Sequence, residues 1–189
     1  MTQRIVLASA SPRRAFLLER AGIPFDVIEP GDVEEGANVS GEPREQAKGL
    51  AQLKARSVAI STPKVCLGCD TIVAIDSTIL GKPSSKDDAR SMLQMLSGEW
   101  HRVITGVSLI DAATGREYTD YAETEVRFAE LGADEIDAYI SSGEPFGKAG
   151  AYGIQGGASS FVIGLKGPLD NVIGLPVRLV RQMLSKMEA

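Results

Sequence analysis

The way in which the predicted strands are connected constrains the fold of this chain more than any other feature of its sequence. Short apolar runs at 4–8 and 25–28 are typical of buried strands, and the segment between them contains Pro12, a residue that commonly opens a helix. Further along, runs at 100–111 and 117–128 flank a Gly-containing turn and are typical of a hairpin. Helix-separated strands together with a hairpin predict an α/β fold with a mixed, twisted sheet flanked by helices.

The other predicted elements fit the same fold class. Further predicted strands are 65–75, 79–80 and 161–165, and further predicted helices begin at Pro43, at Ser84 or Ser85, at Asp134 and at Pro176. Between the last two of these helices, the Gly-rich stretch 143–157 is a predicted loop. With 189 residues, the chain is expected to form one domain, 1–189, that has room for two lobes.

Composition excludes several classes of function. The chain carries 20 Lys and Arg against 25 Asp and Glu, and this net charge of −5 argues against a general nucleic-acid partner. One His and two Cys exclude the common zinc sites, which are built from several such ligands. A bound metal is therefore expected to be Mg²⁺ or Mn²⁺, because these ions prefer oxygen ligands.

Apolar runs and cysteines predict the cellular location. Cys66 and Cys69 fall within the predicted strand 65–75, where residues three apart point to opposite faces roughly 10 Å apart, so no disulfide is expected. No run approaches the length of a membrane span, and the apolar residues before the first serine are too few for a signal peptide. We therefore expect a cytoplasmic protein with reduced thiols and no membrane partner.

Three separate loops place cations beside small residues. The first joins a strand to a helix and contains Ser9, Ser11 and two arginines, next to helix N–H groups that have no helical partner. The second contains Lys82, and the third is Gly-rich and contains Lys148. Each loop alone would be interpreted as a turn with solvated charges, but the three together favour a polyphosphate-binding site.

Asp70 is the carboxylate for which the sequence most strongly predicts a function. It lies in the apolar run 65–75, where a charge is costly unless it is paired or bound to a metal. The alternative is a buried cap for a loop. Glu34, in an acidic loop, is a second candidate oxygen ligand, although an exposed carboxylate without a role fits its position equally well. His101 fits a hydrogen-bonded sheet histidine better than a catalyst.

Several motifs carry a resemblance to a known family. They are Leu7-Ala-Ser-Ala-Ser-Pro-Arg-Arg14, Gly68-Cys-Asp-Thr-Ile-Val73, Gly81-Lys-Pro83, Leu96-Ser-Gly98 with Thr105-Gly106, Lys148-Ala-Gly-Ala-Tyr-Gly-Ile-Gln-Gly156 and Asn171-Val-Ile-Gly-Leu-Pro176. In this order, along essentially the whole chain, they resemble the Maf family. The resemblance implies an inosine-triphosphatase-like (Maf/Ham) fold with two lobes around a cleft. It also implies a homodimer and a divalent metal, with an activity that cleaves nucleoside triphosphates between the α and β phosphates.

At three positions, the residues of this chain resemble those of the family branch that acts on dTTP and UTP. Arg13, Thr71 and Gln155 match that branch, whereas the branch that prefers 7-methyl-GTP carries Glu at the last position. The Gln155 amide presents a donor and an acceptor side by side, which matches O4 and N3–H of uracil or thymine. The resemblance therefore implies dTTP and UTP as substrates, with 7-methyl-GTP as the alternative. A nucleotide sensor that restrains cell division through a protein partner, without catalysis, is the alternative from another class.

The mechanism implied by the resemblance gives each residue a role. Asp70, together with Glu34, would hold Mg²⁺ or Mn²⁺, and Asp70 would also orient or deprotonate the attacking water. Cations would neutralise the triphosphate and the departing pyrophosphate. The expected substrate-binding residues are Ser9, Ser11, Arg13, Lys54, Thr71, Lys82, Lys148 and Gln155.

Overall fold

The computed structural model describes residues 4–33 and 41–188. Its strands are β1 (Ile5–Ala8), β2 (Phe25–Ile28), β3 (Val65–Ile75), β4 (Thr78–Leu80), β5 (Trp100–Asp111), β6 (Glu117–Phe128) and β7 (Val162–Lys166). Its α-helices are α1 (Pro12–Arg20), α2 (Pro43–Ala59), α3 (Lys86–Leu96), α4 (Ala133–Ser141), α5 (Leu169–Ile173) and α6 (Val177–Glu188). Short 3-10 helices cover Ala149–Ala151 and Gly157–Phe161.

The strands form one mixed sheet. Within the described residues its order is β2-β1-β3-β5-β6-β7, and β4 pairs with β3 outside this order. Strand β1 pairs in parallel with both β2 and β3, because α1 and α2 provide the crossovers that parallel strands require. The pairs β3–β4 and β6–β7 are antiparallel. The predicted α/β fold with a mixed sheet flanked by helices is therefore confirmed.

The chain divides into two compact units. Unit 1 comprises Met1–Asp70, Thr105–Ala122 and Gly174–Ala189, and unit 2 comprises Thr71–Ile104 and Glu123–Ile173. In unit 1, helix α2 buries a face of small side chains, and Ala47, Ala51 and Ala55 on this face are fully buried. Small side chains let the backbone of a helix come close to the strands on which it packs.

The core of unit 2 contains a cluster of aromatic rings. The rings of His101, Phe128 and Tyr152 contact one another edge-on, with centroids 4.8–5.4 Å apart. Phe161 joins Phe128 to Tyr139 through two further edge contacts. His101 Nε2 and the Tyr152 hydroxyl oxygen lie 2.8 Å apart and share a hydrogen bond. His101 is therefore a buried, hydrogen-bonded sheet histidine, as predicted, and burial lowers its pKa to about 4.

Most element boundaries agree with the sequence patterns. Strands β3, β5 and β6 begin and end at the predicted residues. Ser85, one of the two residues at which this helix is predicted to begin, caps α3, and its hydroxyl oxygen accepts the N–H of Asp88 at 3.1 Å. The structure adds the five-residue helix α5, which is too short to show a helical period in the sequence. None of the helices in the described ranges is both long and apolar enough to cross a lipid bilayer.

The two cysteines of β3 are free and buried. This confirms the prediction that they form no disulfide, because strand geometry turns them to opposite faces. Burial raises the pKa of each thiol to about 11, so both thiols are protonated at neutral pH.

Candidate functional site

The carboxylate of Asp70 forms a buried ion pair with the ammonium group of Lys54. Lys54 Nζ lies 2.5 Å from Asp70 Oδ1, and only 9% and 12% of the Lys54 and Asp70 side chains, respectively, are exposed. This pairing meets the requirement that a buried charge be compensated by an opposite one. A carboxylate has about four lone-pair sites, which is more than one ammonium group can occupy.

Two glycines allow α2 to bring Lys54 to this carboxylate. A Cβ at Gly68 would lie 2.1 Å from the carbonyl oxygen of Ala51, and a Cβ at Gly106 would lie 2.1 Å from that of Ala47. A side chain at either position would push the helix backbone away from the strands. The close approach of α2 to β3 therefore depends on Gly68, which precedes the paired carboxylate by two residues.

The turn between β1 and α1 is held by a serine and an arginine. Ser9 Oγ accepts one hydrogen bond from the Ser11 N–H at 3.2 Å and another from Arg14 Nη1 at 3.0 Å. Arg14 Nε also donates to the carbonyl oxygen of Gly174 at 2.9 Å, so Arg14 has a structural role. Ser11 is the N-cap residue of α1, but its side chain makes no capping hydrogen bond.

The N-terminus of α1 has the electrostatic character of an anion site. The helix has nine residues, and no acidic side chain lies in its first turn. Burial and the neighbouring Arg14 guanidinium lower the pKa of Arg13, as expected for like charges held close together. A bound anion would offset this repulsion and accept hydrogen bonds from the first N–H groups of the helix. The geometry of 9–14 is therefore suited to phosphate binding.

Strand register brings this turn close to Asp70 within unit 1. Ala8, the last residue of β1, pairs in parallel with Gly68 of β3. Asp70 follows Gly68 by two residues, a distance of about 7 Å along the strand. Open α/β sheets bind ligands just beyond the carboxyl ends of their parallel strands, and Ser9 occupies that position after β1.

Candidate metal ligands are few in the part of the chain that the structure describes. Glu34 lies outside the described residues. Within 4–33 and 41–188, no three His, Cys, Asp or Glu side chains are grouped so that they could hold a metal ion. Asp70 provides one carboxylate, of which Lys54 contacts one oxygen. Mg²⁺ is commonly held by one or two carboxylates together with substrate phosphates and water, and this donor set fits that mode of binding.

Two of the predicted cationic loops lie in unit 2 and are connected by a backbone hydrogen bond. The N–H of Gly150 donates to the carbonyl oxygen of Gly81 at 3.0 Å, which connects the loop of Lys82 to the 3-10 helix that follows Lys148. Lys82 is exposed and Lys148 is half-buried. Both ammonium groups are therefore carried by backbone segments that are hydrogen-bonded to each other.

Gln155 is exposed and lies in a tight turn of unit 2. The N–H of Gly156 donates to the carbonyl oxygen of Gly153 at 3.1 Å, which places Gln155 at the third position of a four-residue turn. The N–H of Gly153 in turn donates to the hydroxyl oxygen of Tyr139 at 3.2 Å. Thr71, another of the three residues that carry the resemblance to the dTTP and UTP branch, is half-buried in β3.

Sequence patterns do not indicate the contact of Glu144 with Gly157, and they indicate the pairing of Lys54 with Asp70 only in part. Both carboxylate oxygens of Glu144 accept the N–H of Gly157, at 3.0 and 3.2 Å, although the two residues are 13 positions apart. No local pattern reveals this contact, because it depends on the path of the intervening loop. The pairing of Lys54 with Asp70 has a partial signal, since a lysine on the apolar face of a predicted helix requires a buried partner.

Comparison with known proteins gives full-length relatives. A dTTP/UTP pyrophosphatase of Ruminiclostridium cellulolyticum is 48% identical over 187 residues, which cover 98% of this chain and 96% of that protein. A dTTP/UTP pyrophosphatase of Bacillus anthracis is 49% identical over 183 residues, which cover 96% of this chain and 94% of that protein.

The fold and the family are shown by two further comparisons. The solved structure of the Staphylococcus aureus Ham1 protein matches with a TM-score of 0.53 at 14% identity, covering 98% of this chain and 100% of that chain. This similarity confirms the predicted Ham-type fold and, at such low identity, shows the fold alone. The family model described as a Maf-like protein matches residues 4–187. With this match and relatives at 48% and 49% identity over nearly its whole length, the chain belongs to the Maf family.

Proposed function

We propose that this protein is a nucleoside triphosphate pyrophosphatase that hydrolyses dTTP and UTP to the nucleoside monophosphate and pyrophosphate. The buried pair of Asp70 and Lys54 carries the proposal, because an enzyme needs a base for the attacking water and a nucleotide sensor does not. Relatives that are 48% and 49% identical over nearly the whole chain are named dTTP/UTP pyrophosphatases, which supports the same activity.

In the proposed reaction, Asp70 orients the attacking water and accepts its proton. The water oxygen bonds to the α-phosphorus, while the bond from that phosphorus to the α,β-bridging oxygen breaks and its electron pair leaves with pyrophosphate. Lys54 Nζ holds one carboxylate oxygen of Asp70 at 2.5 Å and thereby restricts rotation of the carboxylate. A base that is already oriented requires less reorganisation in the transition state.

The remaining cations are proposed to stabilise the negative charge of the phosphates. Arg13 lies in the first turn of α1, which carries no acidic side chain. Lys82 and Lys148 belong to the two hydrogen-bonded loops of unit 2. Cations in such positions stabilise the bound triphosphate and the charge that develops on the departing pyrophosphate. Ser9 and Ser11 support this role through the turn that precedes α1.

Gln155 is proposed to select the base. Its exposed amide offers one donor and one acceptor from a tight turn, and uracil and thymine present the complementary pair at O4 and N3–H. Thr71 is proposed as a second residue on the substrate side. A carboxylate at position 155 would offer acceptors only, which suits the ring N–H and amino donors of guanine. We therefore place 7-methyl-GTP below dTTP and UTP as a substrate.

A divalent cation, Mg²⁺ or Mn²⁺, is proposed to bind to Asp70, Glu34 and the phosphates of the substrate. The support for Asp70 is its carboxylate, a hard oxygen donor of the kind that Mg²⁺ prefers, and the support for Glu34 comes from the sequence alone. When bound, such a cation supplies Lewis-acid polarisation of the α-phosphate.

Location and assembly are proposed on more general grounds. The two free thiols are typical of a reducing compartment and support a cytoplasmic location. The net charge of −5 supports the absence of a nucleic-acid partner. A homodimer is proposed on the family resemblance alone.

The test of the proposed activity is pyrophosphate release by the purified protein from UTP, dTTP and 7-methyl-GTP. We expect turnover of UTP and dTTP with Mg²⁺, loss of turnover in EDTA, and recovery when Mg²⁺ or Mn²⁺ is restored. Full activity in excess EDTA would contradict the metal proposal. Binding of these nucleotides without any pyrophosphate release would contradict the enzyme and support the sensor.

The matching variant is Asp70→Asn, which removes the base with almost no change in side-chain volume. We expect kcat to fall by at least about a hundredfold, because that is the contribution of a positioned general base. Nucleotide binding should change little by comparison, whereas the thermal midpoint should fall, because the buried Lys54 ammonium loses the charge that compensates it. The control is Asp134→Asn, since Asp134 is exposed in α4 and should leave kcat unchanged. A near wild-type rate in Asp70→Asn would remove Asp70 from the mechanism.

A further inference from the structure

We propose that Glu144 is a positioning residue that fixes the turn carrying Gln155 and thereby sets the selectivity of the enzyme for the base. This inference rests on the proposed function, in which Gln155 contacts the base of the substrate. Glu144 belongs to the loop that follows α4 and is half-buried. It acts through the backbone of Gly156 and Gly157, and it has no assigned contact with the nucleotide.

Glu144 holds the end of the turn. Its two carboxylate oxygens accept the N–H of Gly157 at 3.0 and 3.2 Å. A Cβ at Gly156 would lie 2.0 Å from Oε2 of Glu144, so the carboxylate packs directly against the bare backbone of that residue. Hydrogen bonds to an ionised acceptor are roughly twice as strong as neutral ones. The residue that immediately follows Gln155 is therefore held by close packing, and the next one by a charge-assisted hydrogen bond.

The beginning of the turn is held by the core of unit 2. The Gly153 N–H donates to the hydroxyl oxygen of Tyr139, a residue that is only 5% exposed and contacts the Phe161 ring edge-on. Lys148 Nζ donates to the backbone carbonyl oxygen of Glu144. The residue whose carboxylate holds the turn is therefore also bonded to the predicted cationic loop. The end held by Glu144 can be released without any change to the core, whereas release of the other end requires a change to the buried Tyr139.

Gln155 depends on this support because its own side chain is exposed. An exposed amide has few packing contacts, so the backbone of the turn determines where its donor and acceptor lie. Recognition of a base by two adjacent hydrogen bonds is sensitive to shifts of about 1 Å. The base lies away from the reacting phosphorus in the nucleotide, so a displaced amide should raise KM and leave kcat largely unchanged.

The first test compares Glu144→Ala with the wild-type protein. We expect kcat/KM for UTP relative to 7-methyl-GTP to fall by about tenfold, mainly through a higher KM for UTP. Glu144→Gln keeps one carbonyl acceptor for the Gly157 N–H and should give an intermediate ratio. Glu135→Ala is the control, because Glu135 is an exposed carboxylate on α4 and should leave the ratio unchanged.

The second test disrupts the same contact between Glu144 and the turn by changing the turn instead of Glu144. Gly156→Ala introduces a methyl group where the Glu144 carboxylate lies, and the φ of −108° at this position is open to alanine. The carboxylate must move away, so we expect a loss of selectivity similar to that of Glu144→Ala. In the double variant, the effects should not add, because both substitutions disrupt one interaction.

Three outcomes would contradict the role proposed for Glu144. A merely structural role would lower the thermal midpoint of Glu144→Ala while leaving the UTP to 7-methyl-GTP ratio within twofold, and that result would overturn the inference. Additive effects of the two substitutions would overturn it as well. If the wild-type protein releases no pyrophosphate from UTP or dTTP, the proposed function fails and the inference fails with it. This failure differs from the other two, because in those the wild-type protein is active and only the variants give the contrary result.

Discussion

Replacement of Gly68 by alanine tests whether the close approach of α2 to β3 creates the ion pair of Asp70. The added Cβ would lie 2.1 Å from the carbonyl oxygen of Ala51, 2.7 Å from the backbone nitrogen of Ala55 and 3.0 Å from its Cβ. The first two atoms belong to the helix backbone, so no change of side-chain rotamer relieves the contact. The helix has to move as a unit, and Lys54 has to move with it.

The size of this movement follows from the same distances. Non-bonded contacts to carbon are rarely below 3 Å, so the carbonyl oxygen of Ala51 has to retreat by about 1 Å. The distance from Lys54 Nζ to Asp70 Oδ1, 2.5 Å in the native structure, would then approach the limit of a hydrogen bond. Overpacking of this kind lowers the free energy of unfolding by about 1–3 kcal/mol, and a 1 Å misplacement of a catalytic group lowers kcat by up to about a hundredfold.

Urea denaturation and steady-state kinetics with UTP measure the two effects separately. We expect kcat to be lower in Gly68→Ala than in the wild-type protein, although the variant remains folded at low urea concentrations. Gly132→Ala is the matched control, because no atom lies within 4 Å of a Cβ at Gly132 and its φ is −72°. Its unfolding free energy should change by less than about 0.5 kcal/mol. A Gly68→Ala variant with native stability and native kcat would refute the argument that this contact positions Lys54.

Three further predictions concern recognition, pH and thiol chemistry. Gln155→Glu should lower kcat/KM for UTP relative to 7-methyl-GTP by roughly tenfold to a hundredfold, because a carboxylate meets O4 acceptor to acceptor, and an unchanged ratio would exclude base reading by this residue. Because burial lowers the pKa of His101 from 6.5 to about 4, the unfolded chain binds the proton more readily and stability falls as the pH drops through that window, by up to about 3 kcal/mol. His101→Gln should remove this part of the pH dependence in urea titrations, and an identical dependence would contradict it. Cys66 and Cys69, with a pKa of about 11, should resist alkylation by iodoacetamide at about pH 8 in the folded protein, and dithiothreitol should leave kcat unchanged.

Different parts of this molecule are predictable from sequence to different degrees. The hairpin of β5 and β6 is predicted to the residue, because alternation of side chains and a turn are local signals. The motifs likewise identify Asp70 and Gln155 as candidate site residues, because each is proposed to act through its own side chain. The partner of Asp70 is harder to predict, because it depends on a helix backbone that touches the strand at Gly68. The reach of Glu144 to a residue 13 positions later is set by the loop path and leaves no pattern in the sequence.

The anchoring of the turn around Gln155 has a consequence for how this protein can change. Both anchors bind backbone N–H groups, one at Gly153 and one at Gly157, and neither depends on the side chain at position 155. In the proposed function that side chain reads the base, and because it is exposed it contributes little to folding, so it can be exchanged without compensating substitutions elsewhere. A single codon change at this position, in evolution or in protein engineering, can therefore alter the preferred nucleobase while the stability of the fold is kept.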